Sequence, residues 1–398
     1  MRKLPIILLL LCTLTPAYAE DKQPGKAGVF FCRVGKWIDG VLLNGLDTNY
    51  VTLPEYSWRI AATAGTVGLH STYEAKSTPY LGDVSLFATS TPSVDLGFNA
   101  GYRAIGIGYS WDLMHKNGKN INLSIGSKMF GLEFVKTQSA NFNSLLYFPS
   151  ASKERVQMDP TDVWITHTNL SVWYALNWAH YSHNAAIKQA FLQRKTAGSL
   201  LLSAAYNATN ISFHDEDQLL PDLLYDVNKL ITHQASVGLG YGINYTPNQG
   251  KVLLHLSATA KLVFYSINQI FYASKNPTEK SYAEPCYNIT PSRPVHVSGS
   301  MRAAVSWEVN QYVHMSAWGQ ADNVRFEAGS EDTLAKFSNW NWHAHLNVGV
   351  RFGVGKSRIR KIIETADRLD PSIDTPPAAV RKSRLPQWLT DYFFSPRM

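Results

Sequence analysis

The stretch from Trp340 to Phe352 constrains this chain more than any other. Every second residue is apolar (Trp340, Trp342, Ala344, Leu346, Val348, Val350, Phe352), and Asn, His, His, Asn, Gly and Arg lie between them. A period of two means a β-strand, because successive side chains leave the pleat on opposite faces. The alternation outlasts the usual strand of a soluble domain. It also ends on an aromatic, as the closing strand of an outer-membrane barrel does.

Other segments repeat the pattern. Val297, Met301, Ala303, Val305, Trp307 and Val309 alternate with Ser298, Ser300, Arg302, Ala304, Ser306 and Glu308. Val252 to Phe264 sets Val, Leu, Leu, Ala, Ala, Leu and Phe against His255, Ser257, Thr259 and Lys261. In all, the alternation predicts twelve strands, at 56–70, 80–90, 94–101, 104–112, 121–136, 162–175, 198–213, 232–245, 250–265, 297–309, 312–327 and 340–353. The segment 80–90 enters on parity, since bacterial single-chain barrels have even strand counts.

The connections fall into two sets. Short turns are expected at 91–93, 113–120, 246–249 and 310–311, and long loops at 71–79, 137–161, 214–231, 266–296 and 328–339. Short turns on the periplasmic side and long loops outside are the barrel pattern. Two connections break it: Tyr102-Arg103 is a short turn on the long side, and 176–197 is a long connector on the short side. The competing architecture is an exported, soluble β-sandwich binding protein, which alternates too but turns its apolar face inward. Strand length, loop asymmetry and aromatics near strand ends (Tyr56, Trp58, Trp111, Trp164, Tyr245, Tyr312, Trp340) favour the barrel.

The N-terminus fixes the compartment. Arg2 and Lys3, the apolar run Leu4–Leu14 and Ala17-Tyr18-Ala19 form a signal peptide over 1–19, with the mature chain starting at Glu20. The apolar run is too short to span a bilayer. Cys12 sits inside it without the small residues that precede a lipidated cysteine. Val163–Ile187 lacks Asp, Glu, Lys and Arg, but its Thr, Asn, Ser and His residues suit a lipid-embedded helix poorly. The barrel thus occupies 56–353, after a periplasmic segment 20–55 holding the helical pattern Trp37–Leu43. A tail, 354–398, follows, with Ile359, Ile362, Ile363 and Ala366 at helical spacing and then prolines and aromatics.

Charge argues against nucleic acid as a partner. Of the net +7, Arg2 and Lys3 leave with the signal, and nine basic against five acidic residues after Val354 supply most of the rest. The barrel is near neutral, whereas a nucleic-acid binder carries a basic face on its folded domain. The basic tail fits acidic lipid headgroups, a periplasmic partner or a solvated extension. Cys32 and Cys286 fall on opposite sides of the membrane in this topology, so no disulfide is expected between them.

Three short pieces carry a resemblance. Asp47-Thr48-Asn49-Tyr50-Val51, Tyr181-Ser182-His183-Asn184-Ala185-Ala186 and Gln193-Arg194-Lys195-Thr196-Ala197-Gly198-Ser199 resemble a family of uncharacterised outer-membrane barrel proteins of Bacteroidota, a domain of unknown function. The resemblance runs from about Asp47 to Phe352. It implies a barrel and outer-membrane residence, and brings neither an activity nor catalytic residues.

Candidate chemistry is sparse. His180, Ser182 and Asn184 have the residue types of a barrel lipid hydrolase, in which Ser needs an adjacent base to become nucleophilic. Here they fall at the periplasmic end, and Ala185 stands where such enzymes carry Gly, so a polar connector is the preferred reading. The polar strand face carries Arg59, Lys128, Lys251, His255, Lys261, Arg302, Glu308, His343, His345 and Arg351. These are the expected lumen-lining residues, either paired across a hydrated interior or, with cations in excess, selecting anions. His343 and His345 share a face, but no third metal ligand is evident, and no cofactor motif is present.

The sequence therefore specifies an all-β, antiparallel transmembrane outer-membrane β-barrel of about twelve strands, with short helical N- and C-terminal extensions and outer-membrane lipid as its surroundings. A non-enzymatic small pore or a plugged scaffold is the expected role. A twelve-stranded lumen is narrow, and 30–46 or 176–197 could fill it.

Overall fold

The structure, a computed structural model, describes residues 26–78, 82–90, 94–113, 118–147, 155–214, 227–247, 250–272, 287–289, 295–329 and 334–369. The expected signal peptide, Cys286 and the tail beyond Leu369 lie outside them.

The chain forms a closed antiparallel barrel. In chain order the strands are β1 (Val51–Thr52), β2 (Trp58–Thr78), β3 (Gly82–Ser90), β4 (Asp95–Tyr102), β5 (Ile105–Asp112), β6 (Lys119–Gly126), β7 (Phe130–Tyr147) and β8 (Arg155–Ala175). They continue with β9 (Leu192–Gln193), β10 (Ala197–His214), β11 (Val227–Tyr245), β12 (Val252–Tyr272), β13 (Tyr287–Ile289), β14 (His296–Glu308), β15 (Val313–Gly329) and β16 (Leu334–Phe352). Twelve of them make the ring β2-β4-β5-β6-β7-β8-β10-β11-β12-β14-β15-β16, which closes where Phe352 of β16 pairs with Trp58 of β2.

The count agrees with the sequence reading, but the wiring differs in two places that cancel. The expected strand 121–136 is the hairpin β6–β7, turning at 127–129. The expected strands 80–90 and 94–101 are not antiparallel neighbours: β3 and β4 both run antiparallel to β2, one above the other, along a single path. The expected turn at 91–93 lies outside the described residues, but the strands flanking it run in the same direction. Beyond the short β4–β5–β6 unit, β3 pairs directly with β7, so the wall narrows by two strands towards the far end. This also removes the anomaly at Tyr102-Arg103. That turn lies beside Trp58, at the barrel end that carries the helices, where short turns belong.

The burial pattern is that of a protein turned inside out. Leu200, Leu202, Leu239, Leu256, Phe264, Val297, Leu346 and Val350 are exposed, whereas Thr63, Asn169, Gln234, Asn244, His255, Ser316 and Asn347 are buried. A sandwich would reverse this, so the sandwich reading is overturned. Water outside so apolar a surface would cost about 25 cal/mol per Å², and lipid removes that cost. On β16 the outward apolar run from Trp340 to Phe352 rises about 40 Å along the strand, or about 30 Å along the axis at a tilt near 40°. That matches a hydrocarbon core. Aromatics crowd the rim: Tyr56 stacks on Tyr312 with centroids 4.9 Å apart, and Trp58 meets Tyr102 at 4.8 Å.

Among the described residues there are three helices: α1 (Lys26–Leu43), α2 (His183–Ile187) and α3 (Lys356–Leu369). No helix among the described residues is long and apolar enough to cross a membrane, which says nothing of strands. α1 extends well N-terminal of the expected Trp37–Leu43. It packs on α3 through Cys32, Ile359 and Ile363, and Cys32 is a free, buried thiol.

Candidate functional site

The long connector after β8 does not leave the barrel. From Leu176 it turns back into the lumen, forms α2, and returns through β9 to start β10 at Ala197. Its sequence suits burial: between Tyr181 and Gln193 the only charge is Lys188. Tyr181, Ser182, His183, Asn184, Ala185, Ala186, Ile187, Gln189, Ala190, Phe191 and Gln193 are all buried. Its helical part is short, His183–Ile187. Small residues let a helical turn fit where a twelve-stranded wall leaves little space.

Outside the two residues of β9, the plug pairs with no strand and satisfies its backbone largely through side chains. Ser182 N donates to Gln193 Oε1 at 3.0 Å, and Asn244 Nδ2 of β11 donates to the Ser182 carbonyl at 2.8 Å. Gln193 Nε2 donates to the carbonyls of His180 (2.6 Å) and Lys195 (2.9 Å), and Asn184 Nδ2 to that of Ser127 (3.3 Å). Gln189 Nε2 reaches the Met315 carbonyl at 3.1 Å. Gly242 of β11 gives the plug its clearance, because a Cβ there would fall on the Tyr181 hydroxyl. An apolar cluster of Ala185, Ala186, Ile187, Ala190 and Phe191 packs on Leu46, Val51, Leu53, Leu253 and Ala304, tying plug, wall and N-terminal segment together.

The three sequence pieces that carry the family resemblance meet at the base of this plug. β1 pairs with β9 through Val51–Gln193 and Thr52–Leu192. Asp47 N donates to the Ala179 carbonyl at 2.9 Å, and Arg194 N to that of Tyr50 at 2.6 Å. The Tyr50 ring meets His180 edge-on at 4.6 Å, and Lys195 lies over Tyr50 at 5.2 Å. Residues far apart in sequence thus build one mortise.

Ion pairs lock the plug to the wall. Lys188 Nζ donates to Glu133 Oε1 of β7 at 2.7 Å and to Asn122 Oδ1 of β6 at 3.2 Å. Arg302 of β14 pairs with Glu133 Oε2 at 2.9 Å. Arg351 makes a two-pronged pair with Glu308 and reaches the Gln189 carbonyl at 3.5 Å. Further along the lumen, Lys261 pairs with Asp322 at 3.0 Å.

Most of the expected lumen residues lie on the inner face. His255 hydrogen-bonds Asn244 (2.8 Å) and Ser257 (3.1 Å), and His343 and His345 flank Trp318. Arg59, Lys261, Arg302, Glu308 and Arg351 point inward as the alternation requires. Two residues need correction. Lys251 is exposed in the turn before β12, because the strand starts one residue later. Lys128 belongs to the β6–β7 turn, where it bonds the Asn44 carbonyl and lies over Trp178 at 4.9 Å. Sequence reasoning missed Glu133, Lys188 and Asp322. Glu133 sits between Leu132 and Phe134 in an alternating run, so its inward position was readable. Lys188 lay in a segment assigned to a connector.

The candidate catalytic group does not assemble as a hydrolase. His180 sits in a turn and not on a strand, hydrogen-bonding Asn177 at 3.1 Å, with Asp47 at 3.6 Å. Ser182 Oγ is buried and has no hydrogen-bond partner, so no base activates it. Asn184 serves the Ser127 carbonyl. No group of three or more His, Cys, Asp or Glu placed to hold a metal occurs among the described residues.

At the mouth, Arg103 of the β4–β5 turn pairs with Asp39 of α1 at 2.6 Å, both largely buried. Burial pushes the Asp39 carboxyl up against the pull of Arg103, and pushes the Arg103 guanidinium down. Lys356 of α3 donates to the Leu53 carbonyl at 2.6 Å, and burial lowers its ammonium pKa to about 8.

Solved structures share the architecture at low identity. The outer-membrane protease OmpT of Escherichia coli is 9% identical, covering 76% of this chain and 98% of its own, with a TM-score of 0.37. The translocator domain of the autotransporter NalP of Neisseria meningitidis is 12% identical (84% and 100% covered, TM-score 0.32). The toluene transporter TodX of P. putida is 8% identical (79% and 94%, TM-score 0.27). No curated protein matches the chain. Residues 46–352, from just before the Asp47 motif to the end of the closing strand, match the family model described as Domain of unknown function (DUF4421), and the chain belongs to that family.

Proposed function

We propose that this protein is a plugged outer-membrane barrel, non-enzymatic and closed to solutes while residues 176–196 stay seated. The observation that carries the reading is the buried connector itself, tied to β7 by Lys188–Glu133 and to β16 by Arg351. Among the described residues a cavity of about 60 Å³ touches the plug, and two of about 30 Å³ are lined by wall residues alone. Each holds a few waters at most, which supports a closed lumen. The end carrying α1 and α3 faces the periplasm in this reading. In support, strands overrun the apolar band only at the other end, where the outward residues turn polar (His70, Glu74, Asn210, Lys229, Lys336). Longer external projections are the rule for such barrels. The basic tail then lies in the periplasm, free to meet a partner or the inner leaflet.

The test is single-channel conductance of the purified, folded protein in a planar bilayer. Silence is expected from the wild type. Discrete steps are expected when residues 183–191 are replaced by a flexible Gly/Ser segment of equal length. A large, constant conductance in the wild type would overturn the reading.

A further inference from the structure

The largest of these cavities, about 60 Å³, lies between the plug and the wall strands β2, β4–β6, β15 and β16. Among the described residues its lining includes Arg59, Asn99, Lys188, Gln189, His314 and Asn347 and no acidic residue. Its charge is unbalanced. Arg59 and Arg351 are directly opposite one another in the β2–β16 register, an arrangement that like charges disfavour. Glu308 answers Arg351 with both oxygens. Arg59 has no such partner: among the described residues its guanidinium donates only to the backbone carbonyls of Arg103 and Ile105.

Other donors converge on the same space. His314 of β15 is 2% exposed, and its Nδ1 has no hydrogen-bond partner. Lys188 donates to Asn122 and Glu133, and an ammonium has a third N–H to give. The Arg59 guanidinium lies flat over Gly101, where any Cβ would displace it. A buried cation with no counter-charge is costly. Water in the cavity would fill the hydrogen bonds but leave the charge.

We propose that this cavity is a binding site for one small oxyanion, of phosphate or carboxylate size, held by Arg59 with His314 and Lys188. The site depends on the seated plug, which supplies Lys188 and Gln189, and not on whether the plug ever moves.

Equilibrium dialysis of the folded protein in detergent against labelled inorganic phosphate tests it, with unlabelled sulfate and acetate as competitors. Saturable binding of one phosphate per chain is expected. Competition by acetate as well as sulfate would mark a general carboxylate and oxyanion site, and competition by sulfate alone a site for tetrahedral anions. Arg59→Gln should weaken binding about tenfold or more, the effect of losing a charge-assisted hydrogen bond, and Arg59→Lys should restore part of it. Lys251→Gln, a charge change at the exposed rim, should leave affinity unchanged. Should Arg59→Gln fail to fold, His314→Leu takes its place, with a several-fold loss expected. The proposal falls if the wild type shows no saturable binding, or if the folded Arg59 or His314 variant binds as the wild type does. Dialysis reads the seated state and bilayers read conduction, so a failure of one is not a failure of the other.

Discussion

Glu133→Ala is the sharpest perturbation of the plug. The carboxylate faces Lys188 at 2.7 Å and Arg302 at 2.9 Å. At an effective dielectric constant of about 20, each such unit-charge pair is worth about 6 kcal/mol before desolvation is counted. Removing the acid alone leaves two buried cations facing one another, and breaking a buried pair in this way costs about 3–5 kcal/mol. The adjacent cavity admits water, which places the cost at the lower end. Around Glu133 the wall is held by continuous backbone ladders on both sides of β7, from Gly131 to Gln138 against β6 and from Phe130 to Ala140 against β8, whereas the plug is held largely by side chains. The loss therefore falls on plug docking, where about 3 kcal/mol is on the order of a hundredfold in the docked fraction. Lys188→Met breaks the same contact but leaves Glu133 paired with Arg302, so its effect should be the smaller of the two. The assay is maleimide labelling of Ser182→Cys in a background with Cys32 and Cys286 replaced by Ser, run beside bilayer conductance. Labelling and channel bursts should rise strongly with Glu133→Ala and modestly with Lys188→Met. Equal labelling in all three proteins, or the reverse order, would refute the view that this charge cluster seats the plug.

Other outcomes follow from the same geometry. Arg103→Ala strands Asp39 at a buried contact and should loosen α1 by about 2–4 kcal/mol, seen as limited proteolysis within 26–43 while the barrel stays intact. Lys356 releases its proton in the folded state near pH 8, against 10.5 unperturbed, so between those values the unfolded form binds more protons and docking of α3 strengthens as pH rises. Exchange protection of α3 measured across that window should show this rise in the wild type and lack it in Lys356→Met. Gly242→Ala places a methyl on the Tyr181 hydroxyl, so it should mimic plug release in the labelling assay without altering barrel assembly. Ser182→Ala removes a hydroxyl that has no partner and should be neutral or slightly stabilising by thermal unfolding. A large loss of stability would mean that the hydroxyl has a role the geometry does not give it.

How much of this was legible depends on which physical signal each feature leaves. Trp340–Phe352, Val297–Val309 and Val252–Phe264 announced both strand and facing, since a lipid-exposed wall must alternate apolar and polar side chains whatever its neighbours are. That alternation is blind to direction. It could not show that Ser127–Met129 is a turn splitting 121–136 into β6 and β7, nor that β3 and β4 run the same way, because an interrupted strand and a hairpin read alike until pairing is known.

The sequence by itself determined that the chain crosses a membrane as a barrel, and which residues of most strands face inward. Only the tertiary structure decided what occupies the interior. A connector that enters a polar lumen and one that enters water carry the same mix of Ala, Asn, Gln and His, because both environments satisfy polar groups. The distinction arises from partners more than fifty residues away in most cases, such as Glu133 for Lys188, Asn244 for Ser182 and Tyr50 for Arg194. Those contacts exist only once the wall has closed.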